Sequence, residues 1–487
     1  MTRQMLFSTA AAAIGFLGAA DTAWSQPLAQ ERPLRAVYHS MSIVDPATRS
    51  VMPGSYILIE GGRIAGLGQG TPPLEWSSAP SHDMGGLYAM AGLIDTHAHI
   101  TLGPAELEFD GDQPKLRAIP RPDITAHNAA ALLAAGVTTV RIPAGDGEAN
   151  RAYTQAVAAD PTFGPEARHA GEVIDRPAFP FDGLVTEPTP DLSIREIVRR
   201  QAAAGAHFIK LYENLTEADL VEGVTAAREH GLPTIAHLSD ISWTQAARLG
   251  VNAFVHLMPT SPDLLPEDLR QAYVSQLRPG GFKFFEWWEV VDLEGPEIAE
   301  LIEVLVSEDV HVEATLAAFE PAFWGDDEAL VARASADAHP DMVANWQAGF
   351  RFDAGWGPED YARAKVVWPK ILRFLRMLHE AGVPLTIGTD LANPFVSPSS
   401  SMAREMFLHG EAGIPAWDVL RQATAGAADR IGVGDRTGRL APGMEADIVF
   451  LGRDPSLDLS AVSDVRAVLS NGASLPGLSD QDRLSDR

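Results

Sequence analysis

Short apolar runs alternate with longer amphipathic segments along most of the chain from Leu93 onwards. Apolar runs bounded by turn residues are typical of buried strands, and the segments between them have helical spacing. This alternation is typical of β/α units that build a parallel sheet. Eight strands are predicted, at Leu93–His97, Val137–Arg141, Ala167–Val173, His207–Tyr212, Pro233–His237, Ala253–His256, Val310–Thr315 and Pro384–Thr389. Eight such strands predict an α/β fold in the form of a closed (β/α)8 barrel.

Helices are predicted between these strands, among them Pro122–Ala135, Ile194–Ala204 and Glu217–Glu229. The two chain ends have the pattern of strands instead, at Ala36–Ser40, Tyr56–Glu60, Asp447–Leu451 and Val465–Leu469. We therefore expect the two ends to build one β domain together. The predicted segments are a signal peptide at 1–25, a first β part at 26–90, the barrel at 91–434, a second β part at 435–475 and a solvated tail at 476–487.

The N-terminus has the layout of a secretory signal. One positive charge in Met1–Gln4 precedes an apolar run from Met5 to Ala20, and small residues flank Trp24 at a cleavage site after Ser25. The run is short for a permanent membrane anchor. A disordered alanine-rich leader is the alternative. We predict an exported protein, periplasmic or secreted, whose chain begins near Gln26 when measured by mass spectrometry.

The composition limits the possible chemistry. The chain has no cysteine, which excludes disulfides, thiolate zinc sites and cysteine nucleophiles, so a metal must bind nitrogen and oxygen ligands. The net charge of −28 argues against nucleic acid or an anionic membrane as partner. It does not constrain the charge of a substrate, because a local basic pocket can exist on an acidic protein. We expect a small-molecule substrate and no stable membrane anchor, and the sequence is compatible with a homo-oligomer.

Metal-competent side chains follow five of the predicted strands, at the ends where barrel enzymes place their chemistry. They are His97, His99, Lys210, His237, His256 and Asp390. His97 and His99 are two residues apart, so a strand directs both imidazoles to one side. A lone histidine is more often a satisfied core side chain, but four at three strand ends favour a metal site. Asp390 can ligate a cation and accept a proton from bound water, with helix capping as its alternative role.

Lys210 lies within the apolar run Phe208–Tyr212, in a strand predicted to be buried. Buried lysines are uncommon and usually paired. Burial lowers the pKa of a lysine, and the neutral amine can react with carbon dioxide to form a carbamate that bridges two metal ions. Pairing with a nearby acid is the alternative.

These motifs together resemble the amidohydrolase superfamily, within it the imidazolonepropionase-related and prolidase-like group. The resemblance covers residues 30–475, and it rests on the six candidate ligands with the runs Gly136–Arg141, Ile209–Tyr212 and Gly388–Asp390 around them. Residues 438–449 resemble the return of the chain into the β-sandwich domain of that family. The resemblance therefore implies a β-sandwich built from the two chain ends.

The resemblance also implies a binuclear centre, with zinc as the expected metal. One ion would lie on His97, His99 and Asp390, a second on His237 and His256, with carboxylated Lys210 between them. Imidazolonepropionase resembles a single-metal version without the bridging lysine, so Lys210 favours the prolidase-like branch.

In the implied reaction, water activated by the ions attacks a polarised carbonyl carbon. Asp390 takes the proton of that water and then delivers it to the departing nitrogen. Tyr212 is a candidate to hydrogen-bond the developing oxyanion, or an ordinary core tyrosine. Arg141 is a candidate to bind a substrate carboxylate, or part of a structural ion pair inside the barrel.

The substrate is less well defined by the sequence. The connections Leu257–Asp309 and Leu316–Gly382 are long and contain six tryptophans that either line an apolar pocket or pack in the core: Trp287, Trp288, Trp324, Trp346, Trp356 and Trp368. The resemblance suggests cleavage of an amide in a C-terminal or Xaa-Pro dipeptide, an N-acyl amino acid or an ochratoxin-like aryl amide. Lactone, carbamate and ester hydrolysis stay open. The alternatives are a mononuclear deaminase or imidazolone-type cyclic-amide hydrolase and, more remotely, a non-catalytic binding protein on the same scaffold.

Overall fold

A computed structural model describes residues 34–110, 113–177, 180–276, 285–349, 351–353 and 355–475. The predicted signal peptide at 1–25 and the tail at 476–487 lie outside these residues and stay predictions. The described strands are β1 (Arg35–Asp45), β2 (Ser50–Glu60), β3 (Arg63–Gln69), β4 (Ser81–Asp83), β5 (Tyr88–Ala91), β6 (Leu93–Asp95), β7 (Ala105–Asp110), β8 (Gln113–Ala118), β9 (Val137–Ile142), β10 (Glu166–His169), β11 (Val173–Ile174), β12 (Phe181–Asp182), β13 (Val185–Thr186), β14 (Ile209–Leu211), β15 (Thr234–Ala236), β16 (Ala253–Val255), β17 (His311–Glu313), β18 (Leu385–Thr386), β19 (Ile448–Leu451), β20 (Val465–Ser470) and β21 (Ala473–Ser474).

The described helices are α1 (Pro122–Ala134), α2 (Gly147–Ala159), α3 (Ile194–Ala203), α4 (Glu217–Glu229), α5 (Trp243–Arg248), α6 (Glu267–Gln276), α7 (Glu286–Val290), α8 (Pro296–Ser307), α9 (Leu316–Phe323), α10 (Glu328–Ser335), α11 (Pro340–Gln347), α12 (Pro358–Glu380), α13 (Ser401–Glu411), α14 (Ala416–Gln422) and α15 (Ala425–Arg430). Short 3₁₀ turns lie at Leu74–Trp76, Pro262–Leu264 and Leu459–Ser463. Polar caps fix several helix starts. Thr216, for example, forms a reciprocal capping box with Asp219 at the start of α4. None of the helices in the described ranges has the length and apolar content needed to cross a membrane.

The two chain ends share one sheet. Its eight strands follow the order β21-β20-β19-β5-β1-β2-β3, with β4 paired to β1. Alternating inward residues such as Ile43 and Ile57 from the first segment pack with Ile448 and Phe450 from the last. The prediction that the ends build a sheet together is therefore confirmed at the level of strand pairing.

Between the two ends, most strands belong to two parallel sheets, and β7, β8 and β12 form a separate three-stranded sheet. The smaller parallel sheet has the order β10-β9-β6, and the larger has the order β13-β11-β14-β15-β16-β17-β18. The backbone N–H of His207 donates to His169 O at 2.8 Å and joins β10 to the start of β14. On the other side, Ala98 forms a parallel bridge with Leu391 after β18. The arrangement is a TIM-barrel-like α/β fold.

The seam between β6 and the chain after β18 is held by several backbone bonds. Thr96 N donates to Ile387 O at 2.9 Å, and Asp390 N donates to His97 O at 2.7 Å. The two segments approach so closely that a Cβ added at Gly388 would lie 2.7 Å from the Cβ of His97. Glycine is thus required at this position by space, and the first and last strands of the parallel set are in direct contact.

Most predicted barrel strands are present but shorter than predicted. The four histidines and Asp390 lie just beyond the strand ends, whereas Lys210 lies within β14. The predicted strand Ala167–Val173 is wrong as a single element, because the chain breaks at Ala170–Glu172 between β10 and β11. Ala170 N donates to Ile142 O at 3.0 Å, whereas Val173 N turns to Leu184 O at 2.9 Å. The ladder changes partners there.

Three of the connections that follow the parallel strands contain additional elements. An antiparallel hairpin of β7 and β8 follows β6, and β8 also pairs with β12. The sequence did not indicate this hairpin, since its strands are rich in charged residues. The long connections after β16 and β17 contain α6 to α8 and α9 to α12 respectively, so they are largely helical.

Candidate metal centre

Three of the predicted ligands form one compact group where β6 and the chain after β18 meet. Asp390 Oδ1 lies 3.4 Å from His97 Nε2 and 3.2 Å from His99 Nε2. One ligand atom from each of the three side chains lies within 4.8 Å of the others, a separation that a single ion can span. Among the described residues, this is the group of three or more metal-competent side chains that the structure brings together.

His256 and His237 extend this group along the same rim. The His256 ring centroid is 4.8 Å from that of His97, and His256 Nδ1 lies 3.7 Å from Asp390 Oδ2. His237 follows at a centroid distance of 4.6 Å from His256. The structure therefore places four histidines and Asp390 side by side, as the strand-end positions predicted. Their roles as metal ligands stay predictions.

Lys210 lies in β14 and reaches the same group from below. Its side chain is buried, and Nζ makes no hydrogen bond to any described residue. Burial lowers the pKa of Lys210 well below its usual value, although the nearby Asp390 carboxylate acts in the opposite direction. The alternative of a lysine held in a hydrogen-bonded ion pair is not what the structure shows. A neutral amine at this position is what carbamate formation requires.

The donor set fits divalent cations. Both ring nitrogens of His97, Nδ1 of His237, Nζ of Lys210 and Oδ1 of Asp390 are buried atoms that form no hydrogen bond within the described chain. Buried polar atoms normally have a partner, so such a concentration calls for an unusual explanation. Burial also lowers the pKa of His97 and His256 well below the usual range and that of His237 to about 3. Neutral imidazoles are the form that binds metal.

Hydrogen bonds behind the histidines orient their rings. His99 Nδ1 lies 3.2 Å from Ala144 O, and His256 Nδ1 lies 2.8 Å from Thr315 Oγ1. The Ala144 carbonyl can only accept, so His99 donates through Nδ1 and leaves Nε2 available to a metal, whereas the Thr315 hydroxyl holds the ring of His256 in either tautomer. His256, Thr315 and Asp390 also have positive φ angles of 63°, 50° and 61°. Non-glycine residues rarely adopt this conformation, and it is concentrated where strain serves function.

Asp95 is a buried residue beside the site that sequence reasoning did not single out. Its carboxylate accepts from the backbone N–H groups of His97 and Thr389 at 3.0 Å each, and from Thr389 Oγ1 at 2.6 Å. It therefore ties together the two turns that carry His97 and Asp390. Burial raises the pKa of Asp95 to about 7, with these hydrogen bonds acting against the shift. A lone carboxylate inside the apolar strand Leu93–Asp95 was the signal for it.

Arg141 does not line the cavity above the metal-competent group. Its guanidinium is buried, donates to Thr96 O at 2.9 Å through Nε and forms an ion pair with Glu313 Oε1. The other oxygen, Glu313 Oε2, lies 3.6 Å from His97 Nδ1. The position of Arg141 therefore fits the alternative, an ion pair inside the barrel, because Glu313 accepts from its Nη2, and a role in substrate binding stays an untested prediction.

A cavity of about 300 Å³ opens above the metal-competent group, within the range of small-molecule sites. Tyr212 lines it, with its ring 4.8 Å from that of His237 in an edge-on contact. Apolar walls continue outward from the histidines, formed by Leu102, Leu116, Phe181, Leu184, Phe319 and Phe352. The hairpin β7–β8, the segment around β12 and β13 and the chain after β17 all contribute to these walls.

The tryptophans predicted as candidate pocket residues lie elsewhere. None of the six lines this cavity. Trp287, Trp288, Trp346 and Trp368 are buried, and Trp287 donates to Ser261 O at 3.0 Å. The pocket is apolar as expected, but phenylalanine and aliphatic residues supply its surface, while the tryptophans pack between the inserted helices.

Known proteins with related sequences support the predicted resemblance. A profile described as the amidohydrolase family matches residues 294–475, a stretch that includes β17, β18 and Asp390. Imidazolonepropionase from Cereibacter sphaeroides is 26% identical over 444 residues, covering 84% of this chain and 91% of that protein. The resemblance to amidohydrolases, and with it the prediction of a hydrolytic enzyme, is confirmed.

Several solved structures share the fold of this chain. A Xaa-Pro dipeptidase crystallised with bound methionine superposes with a TM-score of 0.65 at 19% identity, covering 91% of this chain and 100% of that one. Ochratoxinase from A. niger superposes with a TM-score of 0.63 at 16% identity, covering 92% and 97%. At these identities the structures establish the TIM-barrel-like fold.

Proposed function

We propose that this protein is a metal-dependent amidohydrolase that cleaves an amide C–N bond of a small molecule with water as the attacking group. One observation carries the proposal. His97, Lys210, His237 and Asp390 line one apolar cavity, and each has a buried polar atom that forms no hydrogen bond with the described residues. The match to the amidohydrolase family supports the same reaction class.

The finer proposal is a centre of two ions. His97, His99 and Asp390 would hold one ion, and His237 and His256 the other. Lys210, as a carbamate, would contribute oxygens to both. Zinc is the proposed metal because nitrogen and oxygen donors of this kind suit it. Such ions, when bound, lower the pKa of water and polarise a carbonyl oxygen.

The protein residues would handle the proton and hold the substrate. The Asp390 carboxylate lies between the histidine pair and His256, where it can accept a proton from water and pass it to the departing nitrogen. Burial raises the pKa of Tyr212 well above its usual value, so its phenol stays protonated. It would donate a hydrogen bond to the oxygen that gains charge. The Asp95 hydrogen bonds keep His97 and Asp390 in register.

Three further proposals accompany this function, two on the fold and one on export. The parallel strands would close into a complete (β/α)8 barrel over 91–434, which the bonds across the seam support. The shared sheet would form a β-sandwich from 26–90 and 435–475. Residues 1–25 would direct export, as their charge and apolar pattern predict.

The test combines metal analysis with a lysine substitution. Metal-loaded protein should contain about two divalent ions per chain, and its intact mass should carry the added carbon dioxide of one carbamate. Lys210→Ala should lower both metal content and amide hydrolysis, and short carboxylic acids should partly restore them. Lys365→Ala is the matched control, because Lys365 lies near the surface in an ion pair with Asp326. Full metal content and activity in Lys210→Ala would rule out the two-ion centre.

A mononuclear cyclic-amide hydrolase is the second candidate, with a deaminase as its nearest variant. Two observations favour it: the imidazolonepropionase relative matches over most of its length, and the three-residue group of His97, His99 and Asp390 is compact enough for one ion. The same preparation distinguishes the two. One ion per chain together with unmodified Lys210 would support the mononuclear enzyme.

A further inference from the structure

The cavity above the metal-competent group has an uneven distribution of charge. Among the residues that the structure describes, Lys210 is the one lysine or arginine in its lining, and it lies at the base with the proposed metal ligands. The outer part is formed by apolar walls. Phe319 begins the wall directly beside the centre, with its ring centroid 5.8 Å from that of His256, and Phe352 continues it at 6.3 Å from Phe319.

Three cations that are adjacent in sequence to lining residues, Arg176, Lys115 and Arg351, have acidic partners. Arg176, next to lining residue Pro177, makes a two-pronged pair with Asp219 at 2.8 Å through both donors. Lys115, next to lining residue Leu116, contacts Asp182 at 2.6 Å. Neither side chain lines the cavity. A strand directs consecutive side chains to opposite faces, so Leu116 points inward and Lys115 points away.

Arg351 repeats this arrangement on the other side of the cavity. It lies next to Phe352 and binds the Asp353 carboxylate at 2.7 and 2.6 Å.

Outside the metal-competent group, the lining contains an acidic side chain, that of Asp175. Asp175 is buried and accepts from Asn214 N at 2.7 Å and Asn214 Nδ2 at 2.9 Å. A substrate carboxylate in this part of the cavity would lose its water shell without gaining a cationic partner from the residues that the structure describes, which is strongly unfavourable.

We propose that the site selects an uncharged amide with an apolar group against Phe319 and Phe352, and disfavours substrates with a free carboxylate beside the scissile bond. The proposal rests on the proposed function and narrows its substrate class. Dipeptides and N-acyl amino acids with a free carboxylate become poor substrates. Neutral aryl or alkyl amides, and carbamates of similar shape, become good ones.

The test is a matched pair of substrates that differ only in charge. N-(2-naphthoyl)-phenylalanine and its C-terminal carboxamide are supplied to the metal-loaded protein, and released naphthoic acid is quantified by chromatography. The carboxamide should have a kcat/KM at least about tenfold higher, because the carboxylate pays a desolvation cost without a partner. A free acid that is cleaved as fast as the carboxamide, or faster, would overturn the proposal.

Binding without turnover separates this proposal from the proposed function. Ketomethylene analogues, in which a CH₂ group replaces the scissile N–H, are titrated into the same metal-loaded protein by calorimetry. The neutral analogue should bind at least about tenfold tighter than the acid. If the neutral analogue binds more tightly but neither amide is hydrolysed, the proposed function is refuted and the binding preference stands. Equal binding of both analogues would refute the preference itself.

Substitutions of wall residues test whether the apolar wall determines the selectivity. Leu184→Arg adds a cation to the lining and should reduce the preference for the neutral member at least severalfold, whereas Val221→Arg on the exposed face of α4 should not. If Leu184→Arg does not fold, Phe352→Leu serves instead. It should lower kcat/KM for naphthoyl amides more than for acetyl amides, with thermal unfolding as the check on folding. An unchanged charge preference in folded Leu184→Arg, or equal losses in Phe352→Leu, would contradict the proposed wall.

Discussion

Cavities lie at both ends of the parallel strands, and we call these two openings the mouths. The mouths differ in whether their polar groups have hydrogen-bond or ion-pair partners. The mouth at the carboxyl ends of the strands has a cavity of about 300 Å³ with buried polar atoms that lack hydrogen bonds. The opposite mouth has a larger cavity of about 700 Å³, lined by Arg430, Asp309 and Asp418 among others. There Arg430 Nη1 contacts Asp309 Oδ2 at 2.9 Å, and Arg49 contacts Asp418 at 2.5 Å.

The charged groups at the opposite mouth are thus largely satisfied by each other. His311 is buried there with Nε2 free of hydrogen bonds, but no group of three metal-competent side chains gathers around it within the described ranges. Volume alone would favour the opposite mouth as the active site. The buried polar atoms without hydrogen bonds favour the carboxyl-end mouth. In this fold, the pairing of polar atoms is more informative than the volume of the cavity.

The largest expected effect of a substitution at either mouth is that of Asp390→Asn. Because Asp390 would both hold metal and move the proton, kcat should fall by roughly 10²–10⁴-fold. Asp418→Asn is the matched change at the opposite mouth and should leave kcat close to that of the wild type. Steady-state kinetics on any cleaved amide measures both. Similar losses in the two variants would mean that the mouths do not differ in function.

Glu313 lies between the mouths, and Glu313→Gln should have an intermediate effect. The substitution keeps the size of the side chain but removes the charge that faces Arg141 on one side and His97 on the other. Groups behind a metal ligand typically contribute about 10–100-fold to metal affinity, and a loss of this size is expected here. Competition with a chromophoric chelator measures the affinity.

Glu405→Gln is the control for Glu313→Gln. Glu405 is equally buried and accepts from Ala317 N at 2.6 Å, but the structure shows it paired with His409 and not with a predicted ligand. The Glu405→Gln variant should be less stable than the wild type but should bind metal with unchanged affinity. A similar loss of affinity in Glu405→Gln would assign the effect to general loosening of the core.

The smallest effect is expected at His207, in the lining of the opposite mouth. Burial lowers the pKa of His207 to about 4 in the folded protein, from a usual value of 6.5. Between these values the unfolded chain binds the proton and the folded chain does not, so stability falls as the pH drops from about 6.5 to about 4. Above that window His207 contributes no pH dependence.

His207→Gln should therefore make the fall in Tm on acidification shallower and leave kcat unchanged. The exposed His230→Gln is the control and should leave the acid slope as it is in the wild type. Thermal unfolding at a series of pH values between about 7 and about 4.5 gives both slopes. A steeper slope in His207→Gln would show that the imidazole is protonated in the fold.

The sequence allowed the strand ends and the six candidate ligands to be predicted, because both depend on local pattern. An apolar run marks each strand, and the polar residue that ends it lies at the rim in any parallel barrel. The partners behind these residues could not be predicted in this way. Thr315 reaches His256 only because the chain adopts a left-handed turn, and Glu313 meets Arg141 across strands that are 172 residues apart in sequence.

The pocket surface could not be predicted for a related reason. Tryptophans in the long connections were candidates by size and position, but the inserted helices bury them against each other and the core. Phe319 faces the cavity because α9 begins immediately after Thr315, so its start lies beside His256, and Phe352 packs against Phe319. Which aromatic residue faces the substrate depends on helix packing, and no local pattern encodes it.

The seam at Gly388 has a consequence for how the protein matures. Synthesis delivers His97 and His99 early, whereas Asp390 and the turn that Asp95 fastens arrive almost 300 residues later. Until the late segment docks beside the early one, the histidine pair has no carboxylate partner and the two halves of the centre are apart. Completion of the predicted ligand set would therefore wait until the segment around Asp390 docks beside the chain after β6.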